Sequence, residues 1–397
     1  TELQAVTPQA RVQAAIEILD LVIAAVRANG APADRIVSDW FRTRRFAGSK
    51  DRRAVREMAY AAIRACGPVP VSGRAAMLRL AQHDSALASL FDGSRHAPEP
   101  IAPNEAIAAG GIAPAWLESA LEESGMSGAD ALALLERAPL DLRINRLKAD
   151  PATLELPEPA ERGLAPSSLR LPHGTQVETW DAYTSGQIEV QDAGSQLVCA
   201  ALAAQAGELV VDLCAGAGGK TLGLAADMDN RGRLIACDVD RARLSRLEPR
   251  ALRAGVTIAE TRLLDPNREA AALTDLVAQT DAVLVDAPCS GTGTWRRNPE
   301  ARWRLTPEQL SRYVAIQSRL LDLAATLLRP GGRLGFVTCS LLDAEGANQA
   351  SAFLSRHPDW TVDDLKLAAG EARGAGWRLA PGRDGTDGFF VACFKKR

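Results

Sequence analysis

The sequence predicts an α/β fold: an open, mainly parallel sheet in the C-terminal half, preceded by an all-α region and a small α+β module. Three observations carry that expectation. Asp281–Val285 and Arg333–Val337 are short apolar runs rich in β-branched residues, with turn formers close behind. A further apolar strand, beginning at Val210, runs into the glycine-rich turn Gly216-Ala-Gly-Gly219, and the stretch from Thr221 to about Met228 reads as a helix. Ahead of these, apolar positions three and four apart in Val12–Ile23 and Ala54–Ile63 read as amphipathic helices.

With 397 residues the chain exceeds one ordinary domain, and no apolar run is long enough to cross a bilayer, so a multidomain cytoplasmic protein is expected. Residues 1–137 are expected to form a helical domain, with a long surface connection between Asp92 and Pro114 where Pro and Gly accumulate. Pro139–Lys148 reads as a strand entering a small α+β subdomain over 138–189, and the sheet-bearing domain follows over 190–397.

Cys289, in Asp286-Ala-Pro-Cys-Ser-Gly291, and Cys339, in Val337-Thr-Cys-Ser340, stand just beyond two of the apolar strands. Ligands of an open parallel sheet sit beyond the carboxyl ends of its strands. If these two strands are neighbours, a spacing of about 4.8 Å brings both sulfurs to one pocket. Cys66, Cys199, Cys237 and Cys393 read as packing residues. Disulfides are not expected, because seven cysteines are spread without framework spacing and no secretory leader is read. No metal is expected either: the four histidines lie outside these motifs and no Cys-x-x-Cys pair exists.

The glycine turn distinguishes between ligands. A phosphate-binding loop needs glycine where Cys214 stands, and a dinucleotide fingerprint needs a third glycine where Thr221 stands. The remaining reading is S-adenosylmethionine, with Asp212 at the first strand's end, the glycines beneath the methionine part, Asp238 on the ribose and Asp265 near the adenine. Asp238 alone would also suit NAD. Three acids at successive strand ends favour the methyl donor.

These motifs resemble the NOL1/NOP2/Sun family of RNA cytosine-5 methyltransferases. Ala215–Lys220 stands where the family usually reads Ala-Ala-Pro-Gly-Gly-Lys, with Gly216 and Ala217 as departures; Asp286–Gly291 and Thr338–Ser340 are intact, and Val190–Gln196 and Asp387–Ala392 resemble the flanking motifs. The resemblance implies a Rossmann-like S-adenosylmethionine-dependent methyltransferase domain and a small RNA-recognition-like insert. Gly48–Tyr60 adds a resemblance to an all-α NusB-like RNA-binding domain. The implied cofactor is S-adenosyl-L-methionine, held by Asp212, Cys214, Ala215, Gly216, Ala217, Gly218, Gly219, Lys220, Asp238, Arg243, Asp265 and Asp286. The implied catalytic set is Cys339 as the thiolate that adds to carbon 6 of cytosine, Asp286 on the base edge, Cys289 assisting loss of the carbon 5 proton, and Lys220 depressing a thiolate pKa or orienting the base. The implied partner is small-subunit ribosomal RNA, with transfer RNA as the alternative, and a monomer is expected. Two other classes stay open: a DNA cytosine-5 methyltransferase, with Cys289 as the attacker, and a non-catalytic ribosome-assembly factor that keeps the fold.

Charge is mixed. The net charge of −3 and pI of about 5.9 are not those of a nucleic-acid-binding domain. The distribution is more informative: Arg42, Arg44, Arg45, Lys50, Arg52, Arg53 and Arg56 face only Asp51, and Trp295–Arg304 interleaves two tryptophans with four arginines just past Cys289. Both clusters are expected to contact RNA, the second by phosphate contacts and base stacking.

Overall fold

The computed structural model describes residues 6–44, 48–363, 365 and 367–397, so Arg45 of the first basic cluster lies outside the described residues. The chain divides into two compact units, Thr1–Leu135 with Trp295–Thr306, and Glu136–Thr294 with Pro307–Arg397.

The first unit is built on helices Pro8–Arg27, Ala33–Thr43, Ser49–Ala65 and Gly73–Ala81. Thr7 caps the first, its hydroxyl accepting the Ala10 amide at 3.2 Å. That helix buries Val12, Ala15, Leu19, Val22 and Val26, the three-and-four spacing of one apolar face. The 92–114 connection contains no helix or strand.

Residues 295–306, expected within the sheet domain, pack with the helical unit instead. Glu300 Oε1 accepts the amide of Ala33, the first residue of a helix whose own N-cap, Pro32, makes no side-chain cap bond. Arg302 Nη2 donates to the carbonyls of Ile63 and Cys66 at the end of helix Ser49–Ala65, 2.7 Å to each. An acid at a helix N-terminus and a cation at a C-terminus both complement the helix dipole. Trp303 Nε1 donates to the Gly67 carbonyl at 3.0 Å, and Arg304 donates to Gly30 and Ala31. The expectation that this cluster holds RNA is corrected here. Trp295, Arg296, Arg302 and Trp303 are buried, and the side chains of Arg302, Trp303 and Arg304 serve as internal braces, while Trp295 Nε1 makes no hydrogen bond among the described residues.

The second unit holds two sheets. The smaller contains β1 (Leu140–Ile144), β2 (Glu161–Arg162), β3 (Ser168–Leu171) and β4 (Ile188–Val190), antiparallel in the order β2-β3-β1-β4. Asp141 of β1 is buried, pairs with Arg170 of β3 through both oxygens, and also accepts the amide of Ala193. That amide opens helix Ala193–Ala200, so one carboxylate fastens the small sheet to the larger fold.

The larger sheet contains β5 (Leu209–Asp212), β6 (Arg233–Asp238), β7 (Ala259–Leu263), β8 (Thr280–Asp286), β9 (Leu328–Thr338), β10 (Trp360–Val362), β11 (Glu371–Arg373), β12 (Gly376–Leu379) and β13 (Phe389–Lys396). Its order is β11-β12-β13-β9-β8-β5-β6-β7, with β10 on β13, and β5 to β9 are parallel. Alternate residues serve opposite faces: Val210, Leu234 and Leu284 join one core, Val211, Ile235 and Val285 the other. Strand order reverses at β5, so the chain ends following β5, β8 and β9 converge where such sheets bind ligands.

Candidate active site

The loop after β5 is shaped by contacts that only glycine permits. Gly218 has φ +87°, and a Cβ there would lie 2.1 Å from Leu247 Cδ1. Gly216 has φ +57°, and its Cβ would meet Arg243 Nη2 at 2.6 Å, which puts the Arg243 guanidinium against the loop. The Gly216 amide donates to Asp238 Oδ2 at 2.7 Å, and Asp240 N to Asp238 Oδ1 at 2.7 Å. The loop is braced from outside as well: Arg250 Nη1 donates to the Ala217 carbonyl at 2.6 Å, and Arg143, from the small sheet, to the Gly219 carbonyl at 3.1 Å. Helix Gly219–Asp227 follows, two residues earlier than its expected start.

Asp212, the last residue of β5, is completely buried. Thr221 Oγ1 donates to its Oδ2 at 2.7 Å, while its Oδ1 has no protein partner. Burial pushes the carboxyl up to about 7, only partly offset by the Thr221 bond. Cys214 is half-buried, with its thiol raised well above the ordinary range by burial and then by Asp212. Asp265 stands exposed two residues beyond β7.

One strand over, Lys220 Nζ pairs with Asp286 Oδ2 at 2.7 Å and lies 5.5 Å from the Phe389 ring centroid. Burial opposes charge on Lys220, but Asp286 outweighs it and the ammonium titrates above its usual range. Strands β8 and β9 are neighbours, with Asp286 opposite Val337, and Cys289 and Cys339 follow them with their Sγ atoms 3.3 Å apart. Both thiols are free and half-buried. The Cys289 thiol is driven well above the normal range, first by its hydrogen bond with Cys339 and then by burial.

The structure therefore brings together Lys220, Asp286, Cys289 and Cys339, and separately gathers Asp212, Ala215–Gly219, Asp238 and Arg243 around the glycine loop. Sequence reasoning missed Thr221 as the hydroxyl holding Asp212, Phe389 beside Lys220, and Glu345. The Glu345 carboxylate is completely buried and accepts the Ser290 amide at 2.9 Å, the Ser290 hydroxyl, and Gln317 Nε2 at 3.1 Å. A local signal existed for Phe389, which lies in the Asp387–Ala392 motif. That motif is tied to the upstream one by the Asp387 amide donating to Asp192 Oδ2 at 3.0 Å.

Residues 199–395 match the family 16S rRNA methyltransferase RsmB/F. The ribosomal RNA small subunit methyltransferase B of Xylella fastidiosa is 38% identical over 295 residues, covering 70% of this chain and 67% of that protein. This chain belongs to the RsmB/F family. The protein of the same name from Shewanella oneidensis is 34% identical over 270 residues, and the match spans 61% of its length. The crystal structure of PH0851 superposes with a TM-score of 0.77 at 26% identity, covering 98% of this chain and 99% of that one. A Pyrococcus horikoshii NSun6 structure with SFG shares the fold, with a TM-score of 0.60 at 18% identity over 70% of this chain and 97% of its own.

S-adenosylmethionine is the cofactor of this RsmB/F chain, and the residues present fit it. Asp212 Oδ1 is an unpartnered buried acceptor, a Cβ at Gly219 would enter open space, and acids stand at or just past the ends of β5, β6 and β7. Asp238 already braces the loop through one bond to each oxygen, and each oxygen keeps a lone pair able to accept a further hydrogen bond. Among the described residues, no group of three or more His, Cys, Asp or Glu is placed to hold a metal ion, and no helix is long and apolar enough to cross a membrane.

Proposed function

We propose that this chain methylates carbon 5 of a cytosine in small-subunit ribosomal RNA, using S-adenosylmethionine and a covalent bond from Cys339 to carbon 6. The carrying observation is the 3.3 Å approach of Cys289 and Cys339 beside the Lys220–Asp286 pair. Membership of the RsmB/F family, and relatives named for small-subunit ribosomal RNA, support the choice of RNA.

Carbon 5 of cytosine is a poor nucleophile. Adding a thiolate to carbon 6 makes carbon 5 enamine-like, and S-adenosylmethionine, when bound, supplies an electrophilic methyl on a sulfonium. Cys339, in the intact Thr338–Ser340 motif, is the sulfur that attacks as its thiolate, with Cys289 Sγ 3.3 Å away. N3, protonated from solvent as the adduct forms, donates to the Asp286 carboxylate at the base edge, a gain made largely in the transition state, and Lys220 orients that carboxylate. Cys289, 3.3 Å from Cys339 Sγ, stands beside the adduct and, as its thiolate after yielding its proton to solvent, takes the carbon 5 proton. The freed C–H electron pair restores the C5–C6 double bond, and Cys339 departs as thiolate.

The target base has to be unstacked to reach the thiols, at a cost of a few kcal/mol. Arg42, Lys50, Arg52, Arg53 and Arg56 are exposed on the helical unit and suited to phosphate contacts. The test uses purified chain, labelled S-adenosylmethionine and 16S ribosomal RNA, with the modified position mapped by bisulfite. Cys339→Ala should abolish both label transfer and the protein–RNA adduct, whereas Cys289→Ala should accumulate the adduct. Attachment through Cys289 in the wild type would restore the DNA-type arrangement, and label entering transfer RNA alone would overturn the ribosomal target.

A further inference from the structure

Cys289 is held from both sides. The carbonyl of Pro288, the residue before it, accepts Gln317 Nε2 at 2.9 Å. Ser290, the residue after it, donates its amide to Glu345 Oε1 at 2.9 Å and its hydroxyl to Glu345 Oε2. Gln317 Nε2 also reaches Glu345 Oε1 at 3.1 Å, which closes the bracket. Glu345 and Gln317 are both completely buried. A carboxylate withdrawn from water is costly unless it is well hydrogen-bonded, and the chemistry of addition and elimination assigns Glu345 no part.

The main chain of the same residue reaches the other cysteine loop. Its carbonyl accepts the hydroxyl of Thr338, the neighbour of Cys339, at 3.2 Å. Ser290 Oγ also lies 3.2 Å from Ser340 Oγ on the far side of Cys339. Glu345 thus touches a residue adjacent to each thiol, one through its backbone and one through its carboxylate.

We propose that Glu345 is a positioning residue that sets Cys289 against Cys339, and that release of the methylated RNA depends on its carboxylate. The inference rests on the covalent reading above. Changing the side chain leaves the Thr338 bond to the main chain in place, so Cys339 keeps its position and addition to carbon 6 proceeds. Cys289 loses the amide and hydroxyl anchors behind it, so removal of the carbon 5 proton and departure of Cys339 slow down.

The experiment follows the covalent protein–RNA species through time in wild type, Glu345→Ala, Glu345→Gln and Ser290→Ala, using 16S ribosomal RNA and S-adenosylmethionine in single turnover. In Glu345→Ala the adduct should form within about threefold of the wild-type rate and decay at least about tenfold more slowly, the scale of losing charge-assisted hydrogen bonds. Glu345→Gln, which keeps an acceptor, should fall between. Ser290→Ala removes the hydroxyl arm to Glu345 and the Ser340 contact but keeps the amide arm, and carries the test if Glu345→Ala does not fold. Decay at the wild-type rate in these variants, or formation and decay slowed equally, overturns the positioning role. Absence of any adduct in the wild type would instead defeat the covalent reading itself.

Discussion

Arg302 donates to the carbonyl oxygen of Ile63 at 2.7 Å, across 239 positions of sequence. The guanidinium is fully buried, and burial pulls its pKa down to about 10, so its charge is kept by the carbonyls of Ile63, Cys66 and Pro299 around it. Arg302→Met should destabilise the helical unit by about 3 kcal/mol, the scale of removing hydrogen bonds made by a buried charged group. Chemical denaturation followed by tryptophan fluorescence measures this. A loss of RNA affinity with unchanged stability would return the cluster to an RNA-binding role. By the same reasoning, deleting residues 1–135 should strip Trp303 and Arg302 of their cover and give an aggregating chain.

Lys220→Met should leave the Asp286 carboxylate without its cation and lower the rate of adduct formation by about a hundredfold, the lower range of what a positioned acid–base group contributes. Because the Lys220 pKa is raised from an already high value, its ammonium persists through neutral pH, and the pairing weakens only as pH rises through that raised value. The wild-type rate profile between pH 6 and 9 should therefore carry no inflection from this residue. Methylation by Lys220→Met at the wild-type rate would remove Lys220 from the site.

Asp212 has a folded pKa of about 7 against an ordinary 3.8. The acid form is the one the fold favours, so this stabilisation is complete below about 4 and is lost as pH rises through about 7. Asp212→Asn cannot ionise. The difference in unfolding free energy, wild type minus Asp212→Asn, should fall by a few kcal/mol between pH 4 and 8, measured by urea denaturation at each pH. A flat difference would mean that Asp212 ionises freely in the folded chain.

Much of the reactive half was legible because its signals are local. A strand, a turn and a cysteine follow one another within ten residues at 281–289 and again at 333–339, and β8 and β9 prove adjacent as their shared pocket required. The glycines at 216 and 218 announced a positive-φ loop, which the structure has. The failures are non-local. Arginines interleaved with tryptophans at 295–304 have the composition of an RNA contact, yet their partners are helix-terminal carbonyls more than 230 positions away, and nothing at either end of that separation marks the other. Glu345 sits six residues past Cys339 in Asp-Ala-Glu-Gly, a stretch that reads as surface turn; its burial follows from Gln317, in the middle of a 21-residue helix that also has no motif. Thr221 was read as the residue that breaks a dinucleotide fingerprint. The same hydroxyl turns out to hold Asp212.

The glycine loop offers a separation of fold from ligand binding. At Gly218, with φ +87° and Leu247 Cδ1 2.1 Å from an added Cβ, alanine is strained whatever occupies the pocket, so Gly218→Ala should lose both stability and methyl-donor affinity. Gly219 differs. It has ordinary helical geometry at the start of Gly219–Asp227, and an added Cβ meets nothing within 4 Å. Replacing a helical glycine whose conformation alanine can adopt stabilises by roughly 0.4–1 kcal/mol, so Gly219→Ala should raise the melting temperature. The same methyl would enter the open space above the loop, and if S-adenosylmethionine sits there its affinity, read by calorimetry, should fall at least about tenfold, as expected when a ligand cannot approach backbone closely. A Gly219→Ala protein that melts higher and binds S-adenosylmethionine unchanged would show that the ligand does not pass over this turn.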